Sequence, residues 1–177
     1  DADLFKSVKE GKAEIVTDHI ERFTQKGILL KSGKELEADL IVTATGLKVQ
    51  LLGGMTVHVN GELGDSGKTH AYRGVMLSDV PNFAFTVGYT NASWTLKCDL
   101  SQRFVMKVLN HMEKNNYSVC VPQFDSTKFK SEPLLDFNAG YVLRALDKLP
   151  KQGSAHPWKV HQNYVKDLMS LEWSGVD

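Results

Sequence analysis

The sequence predicts an α/β protein with a β-rich N-terminal piece and a long helix near 93–115. Three observations carry that reading. A consecutive apolar run, Leu40-Ile41-Val42, stops abruptly at Thr43-Ala44-Thr45-Gly46, as a strand buried on both faces does when it reaches a small-residue turn. A second apolar run over 82–87 leads through Gly88 into a helix. Along that helix Leu96, Leu100, Phe104, Val108 and Met112 recur every four residues, with Val105 and Leu109 widening the stripe.

Taken in order, Asp1 or Asp3 is expected to cap a short helix that runs through Lys9 and ends at Gly11. Strand-like runs follow over 13–24, 27–31 and 35–43. Lys31-Ser32-Gly33-Lys34 has the composition of a hairpin turn between the last two. Residues 47–79 are turn-rich around Gly53-Gly54 and 61–67, with short strands expected at 56–59 and 72–76. Asn91 or Ser93 supplies a cap for the long helix, and Asn115-Asn116 supplies a stop. Beyond Tyr117, prolines at 122, 133, 150 and 157 leave two shorter helical segments, 141–149 and 161–171.

The totals exclude several classes. Of 177 residues, 42% are hydrophobic and 24% charged, and acids and bases balance at 21 each, so no net field attracts nucleic acid or an anionic membrane. No run approaches the about 20 apolar residues that span a bilayer. Cys98 and Cys120 are too few for a disulfide framework and lack metal-type spacing, which reads as a reducing cytoplasm. The six histidines include no close ligand pair with a third partner, so no metal site is expected. Ser93 and Ser101 lack an identifiable base. Trp94, Trp158 and Trp173 suit either an apolar pocket or ordinary packing, and Cys98 reads as a small packing residue near a helix start. The opening on Asp1, without Met, reads as a segment cut from a longer chain.

Two segments carry chemistry. The 39–46 element ends in small residues that let backbone approach a cofactor closely, yet it equally fits an ordinary core strand. The 88–96 element directs unpaired N–H groups and the positive end of a helix dipole at one point. That arrangement suits a phosphate or the electron-rich N1–C2=O edge of a flavin, although alone it reads first as an ordinary strand-to-helix connection.

Together, Ala44-Thr45-Gly46 after an Asp-led strand, Val80-Pro81-Asn82-Phe83, and Gly88 leading into a helix resemble the two-dinucleotide-domain flavoprotein monooxygenases. That family includes flavin-containing and Baeyer–Villiger monooxygenases. Gly88-Tyr89-Thr90-Asn91-Ala92-Ser93-Trp94-Thr95-Leu96-Lys97, Leu149-Pro150-Lys151-Gln152-Gly153-Ser154, Pro157-Trp158 and Gln162-Asn163-Tyr164 extend the resemblance to a mycobacterial branch and its bacterial relatives, over nearly the whole chain. The resemblance implies the C-terminal part of a Rossmann-like flavoprotein. Residues 1–46 would end an NADPH-binding domain, 47–120 would close an FAD-binding domain, and 121–177 would form a C-terminal extension. It implies FAD and NADPH as cofactors, and O2 with a small apolar ketone or sulfur compound as substrates. Oxygen would be inserted into ketones, or added to sulfides and thioamides, through a C4a-peroxyflavin. Asn91, Thr95 and Leu96 would meet the flavin ring, and Ala44, Thr45 and Gly46 would form an inter-domain hinge.

The departures are specific. No Gly-x-Gly-x-x-Gly fingerprint occurs, nor does Phe-x-Gly-x-x-x-His-x-x-x-Trp. The active-site arginine of Baeyer–Villiger members is expected upstream of Asp1, so Arg22, Arg73, Arg103 and Arg144 inherit no role. Two alternatives stay open. One is a non-catalytic fragment acting as a folding, oligomerisation or interaction module, with self-association through exposed sheet edges. The other is a pyridine nucleotide-disulfide reductase relative, which the lack of a redox cysteine pair disfavours.

Overall fold

The computed structural model describes residues 2–135 and 139–176. They form two compact units divided after Gly46.

In the first unit, α1 spans Asp3–Lys9. Ala2 occupies the N-cap without a side-chain bond and Asp3 is the first helical residue, so the expected Asp3 cap is not formed; Asp1 lies outside the described residues. Asp3 in the first turn with Lys6 and Lys9 in the last still complements the helix dipole. Strands β1 (Ile20–Phe23), β2 (Gly27–Leu30) and β3 (Glu35–Glu37) make an antiparallel sheet in that order. Gly27 is dictated by close approach: a Cβ there would stand 2.0 Å from the Leu36 carbonyl oxygen. The β2–β3 turn forms as expected, with Gly33 at φ +87° donating to the Leu30 carbonyl at 2.9 Å.

Two expectations are corrected. The 13–24 run is extended only from Ile20, and the 35–43 strand ends at Glu37, with Ala38 donating a last bond to the Lys26 carbonyl. Leu40 and Val42 are therefore not a buried strand; they are 80% and 79% exposed. An apolar run is buried on both faces only between neighbouring strands, and β3 lies at the edge of its sheet.

The second unit opens with a 3-10 turn, Leu51–Gly54, and a hairpin of β4 (His58–Val59) and β5 (Glu62–Leu63). Asn60 and Gly61, both at positive φ, turn it. The expected strand at 72–76 is instead a second hairpin, β6 (Ala71–Tyr72) with β7 (Met76–Leu77). Arg73 and Gly74 at φ 51° and 67°, and the Val75 amide donating to the Tyr72 carbonyl, reverse the chain there. The expected strand over 82–87 shrinks to one bridge, Met76 to Ala84, and one bond from the Phe85 amide to the Val75 carbonyl. Asn82 takes positive φ, its amide donating to the Cys120 carbonyl and its side-chain Nδ2 to the Ser118 carbonyl, which draws it off a straight ladder.

The long helix is α2, Trp94–Lys114, with Ser93 and Asn115 at its ends. Its stripe is the core: Phe104 and Leu100 are fully buried and pack with Val108, Tyr72, Val75, Met76, Trp158 and Leu171. The Trp158 ring meets Tyr72 and Phe124 edge-on at 5.2 and 5.1 Å. Leu96 and Leu109, at the stripe's margin, stay exposed. Strands β8 (Ser131–Pro133) and β9 (Lys151–Gly153) pair antiparallel. The Lys151 amide donates to Thr69, which ties this pair to the start of β6.

The two late helical segments are shorter than expected. The first is α3 (Gly140–Leu143) with a 3-10 turn at Leu146–Lys148; the second is α4 (Tyr164–Leu168) followed by a π-helical turn at Met169–Trp173. Asn163 starts α4 by accepting from the Lys166 amide. The carbonyls left at its far end are met by distant donors. Lys107 Nζ reaches the Glu172 and Ser174 carbonyls at 2.8 and 2.5 Å, Arg73 bonds the Ser170 carbonyl, and the Tyr72 hydroxyl bonds Val176. The result is a mixed α/β fold with small antiparallel sheets.

Candidate functional site

The chain enters the site through Gly88, which is buried against the Trp94 indole. A Cβ at Gly88 would stand 2.3 Å from Trp94 Cγ, so only glycine lets the backbone pass beneath that ring. The Thr90 amide and hydroxyl both donate to Gln162 Oε1, at 3.0 and 3.1 Å. Asn91 Nδ2 donates to the Gln162 carbonyl at 3.1 Å. The turn is thus fastened to the segment that begins α4, and two stretches singled out in the sequence, 88–97 and 162–164, meet in space.

Of the two expected caps, Ser93 takes the N-cap position, but its hydroxyl bonds Thr95 Oγ1 at 2.8 Å and caps no amide; Asn91 is engaged with Gln162. The first turn of α2 carries no acidic residue. No side chain of the N-cap meets its leading amides, and residues 90–96 are all exposed. A 21-residue helix contributes its full dipole at that point. Asn91, Thr95 and Leu96 lie together on this exposed turn. Ala44, Thr45 and Gly46 are exposed at the division between the units, with Gly46 at φ +84° and open space where a Cβ would be.

Beneath the turn lies a group that the sequence reading missed. Lys97, Asp167 and Tyr89 are 2%, 3% and 2% exposed. Asp167 Oδ2 faces Lys97 Nζ at 2.9 Å and accepts the Tyr89 hydroxyl at 2.7 Å. Burial lowers the Lys97 ammonium below its ordinary range, and Asp167 opposes that shift. Burial, then the bond to Asp167, pushes the Tyr89 phenol up. A cavity of ≈ 20 Å³, room for about one water, adjoins Lys97, Tyr89, His161 and Gln162. One signal was legible: Lys97, Ser101, Phe104 and Val108 share a helical face, so a lysine stands in the buried stripe. Nothing local points to Asp167.

Other candidates fall elsewhere. Trp158 is core, whereas Trp94 and Trp173 are exposed; Cys98 and Cys120 are half-buried free thiols. Among the described residues no three His, Cys, Asp or Glu side chains gather as a metal site. A groove of ≈ 470 Å³ is lined by Met76, Val108, Met112, Cys120, Phe129 and Trp158. It adjoins the C-terminal half of α2, about 20 Å along the helix from the exposed turn.

The fold and this turn define a class: a mixed α/β protein presenting an uncapped helix N-terminus through a glycine-led turn. Sequence comparison supplies its relatives. The chain is 51% identical over 175 residues, 99% of its length, to FAD-containing monooxygenase EthA of Mycobacterium tuberculosis, and equally to EthA of Mycolicibacterium smegmatis. It is 46% identical over 178 residues to the protein named "Probable FAD-binding monooxygenase AlmA" of Acinetobacter baylyi. The chain spans about 36% of the length of these relatives. Along essentially its whole length it is similar to proteins named FAD-containing or FAD-binding monooxygenases, as the sequence motifs implied. No family model and no solved structure matches it.

Proposed function

We propose that the chain is the C-terminal portion of an FAD- and NADPH-dependent, Rossmann-like monooxygenase of the cytoplasm. It would insert one oxygen from O2 into small apolar ketones in Baeyer–Villiger fashion, or oxygenate sulfides and thioamides. The observation that carries this reading is the exposed start of α2, whose N-cap makes no side-chain bond and whose first turn has no acidic residue, in a chain whose relatives are named FAD-containing monooxygenases. That turn fits an electron-rich ring edge because the dipole favours negative charge and no carboxylate competes for it. Backbone at Asn91, Thr95 and Leu96 would hold the flavin. FAD, when bound, supplies the redox and oxygen-activating chemistry. The protein's part is to orient that ring and exclude water, with Gly88 and Gln162 keeping the turn in shape. Residues 1–46 would close the NADPH domain and 47–120 the FAD domain, with Ala44-Thr45-Gly46 as the hinge and 121–177 as an extension.

The test is the visible spectrum of the purified chain after incubation with FAD and desalting. Retained, perturbed flavin bands are expected. They should be lost in Leu96→Asp, which puts a carboxylate on an exposed first-turn position that suits the helix but repels an electron-rich edge. A colourless wild-type chain would overturn the assignment of flavin binding to these residues. Exposed Leu40, Val42 and Phe23 favour the second reading, an oligomerisation module, and a colourless chain that self-associates would support it.

A further inference from the structure

Residues 90–96 are all exposed, so their own burial does not set the shape of the turn. It is set at its two ends. Tyr89, immediately before the turn, and Lys97, immediately after it, are both buried, and both converge on Oδ2 of Asp167. We infer that Asp167 is a positioning residue for the 90–96 turn, one carboxylate oxygen closing the loop from below. This rests on the reading of that turn as the flavin-facing element.

The geometry suits the role. A surface ion pair would hold the turn only weakly against water and salt. Here the three groups lie out of solvent, where removing the carboxylate would leave a buried ammonium without its counter-charge and the Tyr89 hydroxyl without its acceptor. Asp167 is itself held: Asn163 caps α4, and Leu171, one turn on, is fully buried in the α2 core. Gln162 adds a second fastening at the front of the turn through Thr90 and Asn91. The C-terminal segment thereby holds both ends of a turn that begins 78 positions before Asp167.

The experiment measures backbone 15N order parameters of the full chain, in Asp167→Asn and Tyr89→Phe, with a parallel FAD titration followed by flavin fluorescence. Asp167→Asn keeps the shape of the side chain and removes its charge. Wild-type residues 90–96 are expected near about 0.85, falling below about 0.6 in Asp167→Asn. Amides of β8 and β9 should stay unchanged, which a general loss of stability would not produce. Tyr89→Phe should loosen the Thr90 end alone. Unchanged order parameters in the turn, or an equal fall throughout the chain, overturn the inference. If Asp167→Asn fails to fold, Tyr89→Phe decides it: a loosened Thr90 end supports the role and an unchanged one overturns it. Wild type that binds no FAD while the variants loosen the turn sinks the flavin reading and leaves the positioning role standing. Equal FAD binding by wild type and Asp167→Asn, with an unchanged turn, does the reverse.

Discussion

Asp125 illustrates how far neighbours two and three residues away tune one side chain. Its Oδ1 accepts the Thr127 hydroxyl at 2.6 Å and the Thr127 amide at 2.9 Å, while Lys128 Nζ stands 3.2 Å from Oδ2. The Thr127 hydroxyl bond first, then the Thr127 amide bond and Lys128, lower the carboxyl from 3.8 to about 2. A folded-state value below the unfolded one means that this group favours the fold above about 3.8. Its contribution is lost as pH falls through about 2. A 13C titration of the Asp125 carboxyl should therefore show a midpoint near 2, moving up toward 3.8 in Thr127→Val. An unmoved midpoint would remove the hydroxyl as the cause.

At the scale of elements, α2 and α4 are joined by apolar packing and by the Lys97–Asp167 pair, and these respond differently to mutation. Breaking the pair by Asp167→Ala strands a buried ammonium, and urea denaturation should register a loss of about 3–5 kcal/mol. The double substitution Lys97→Met with Asp167→Leu removes both charges and fills the space with apolar volume. It should recover most of that loss, short of the cost of an unsatisfied Tyr89 hydroxyl, about 1–3 kcal/mol. Additive losses would mean that the two charges do not interact. The same comparison separates stability from positioning, since the double variant regains the first without the second.

At the scale of the whole molecule, many large apolar side chains are exposed. Leu4, Phe5, Ile15, Ile20, Phe23, Leu40 and Val42 are all exposed in the first unit, whose sheet has open edges at β1 and β3. Sedimentation velocity should show an average coefficient that rises with protein concentration, and Leu40→Lys combined with Val42→Lys should suppress the rise. A concentration-independent monomer in wild type would refute this. No helix among the described residues is long and apolar enough to cross a membrane.

What was legible in the chain itself was what local chemistry encodes. The four-residue spacing of Leu100, Phe104 and Val108 specified α2 to within a residue at each end, because helical periodicity is written in consecutive side chains. Gly33 and its neighbours specified the β2–β3 turn, because positive φ demands glycine there. The 88–97 and 162–164 motifs carried the relationship to FAD-containing monooxygenases. Other features were decided only by tertiary structure. Leu40-Ile41-Val42 reads as buried yet is exposed, because burial of a strand depends on neighbours that its own residues do not specify. Arg73-Gly74 became a turn because β7 folds back on β6. The joining of Tyr89 and Lys97 through Asp167 spans a gap that leaves no local pattern. Such pairings arise when the core formed by α2 brings distant segments together, and only then does a lysine in an apolar stripe acquire its partner.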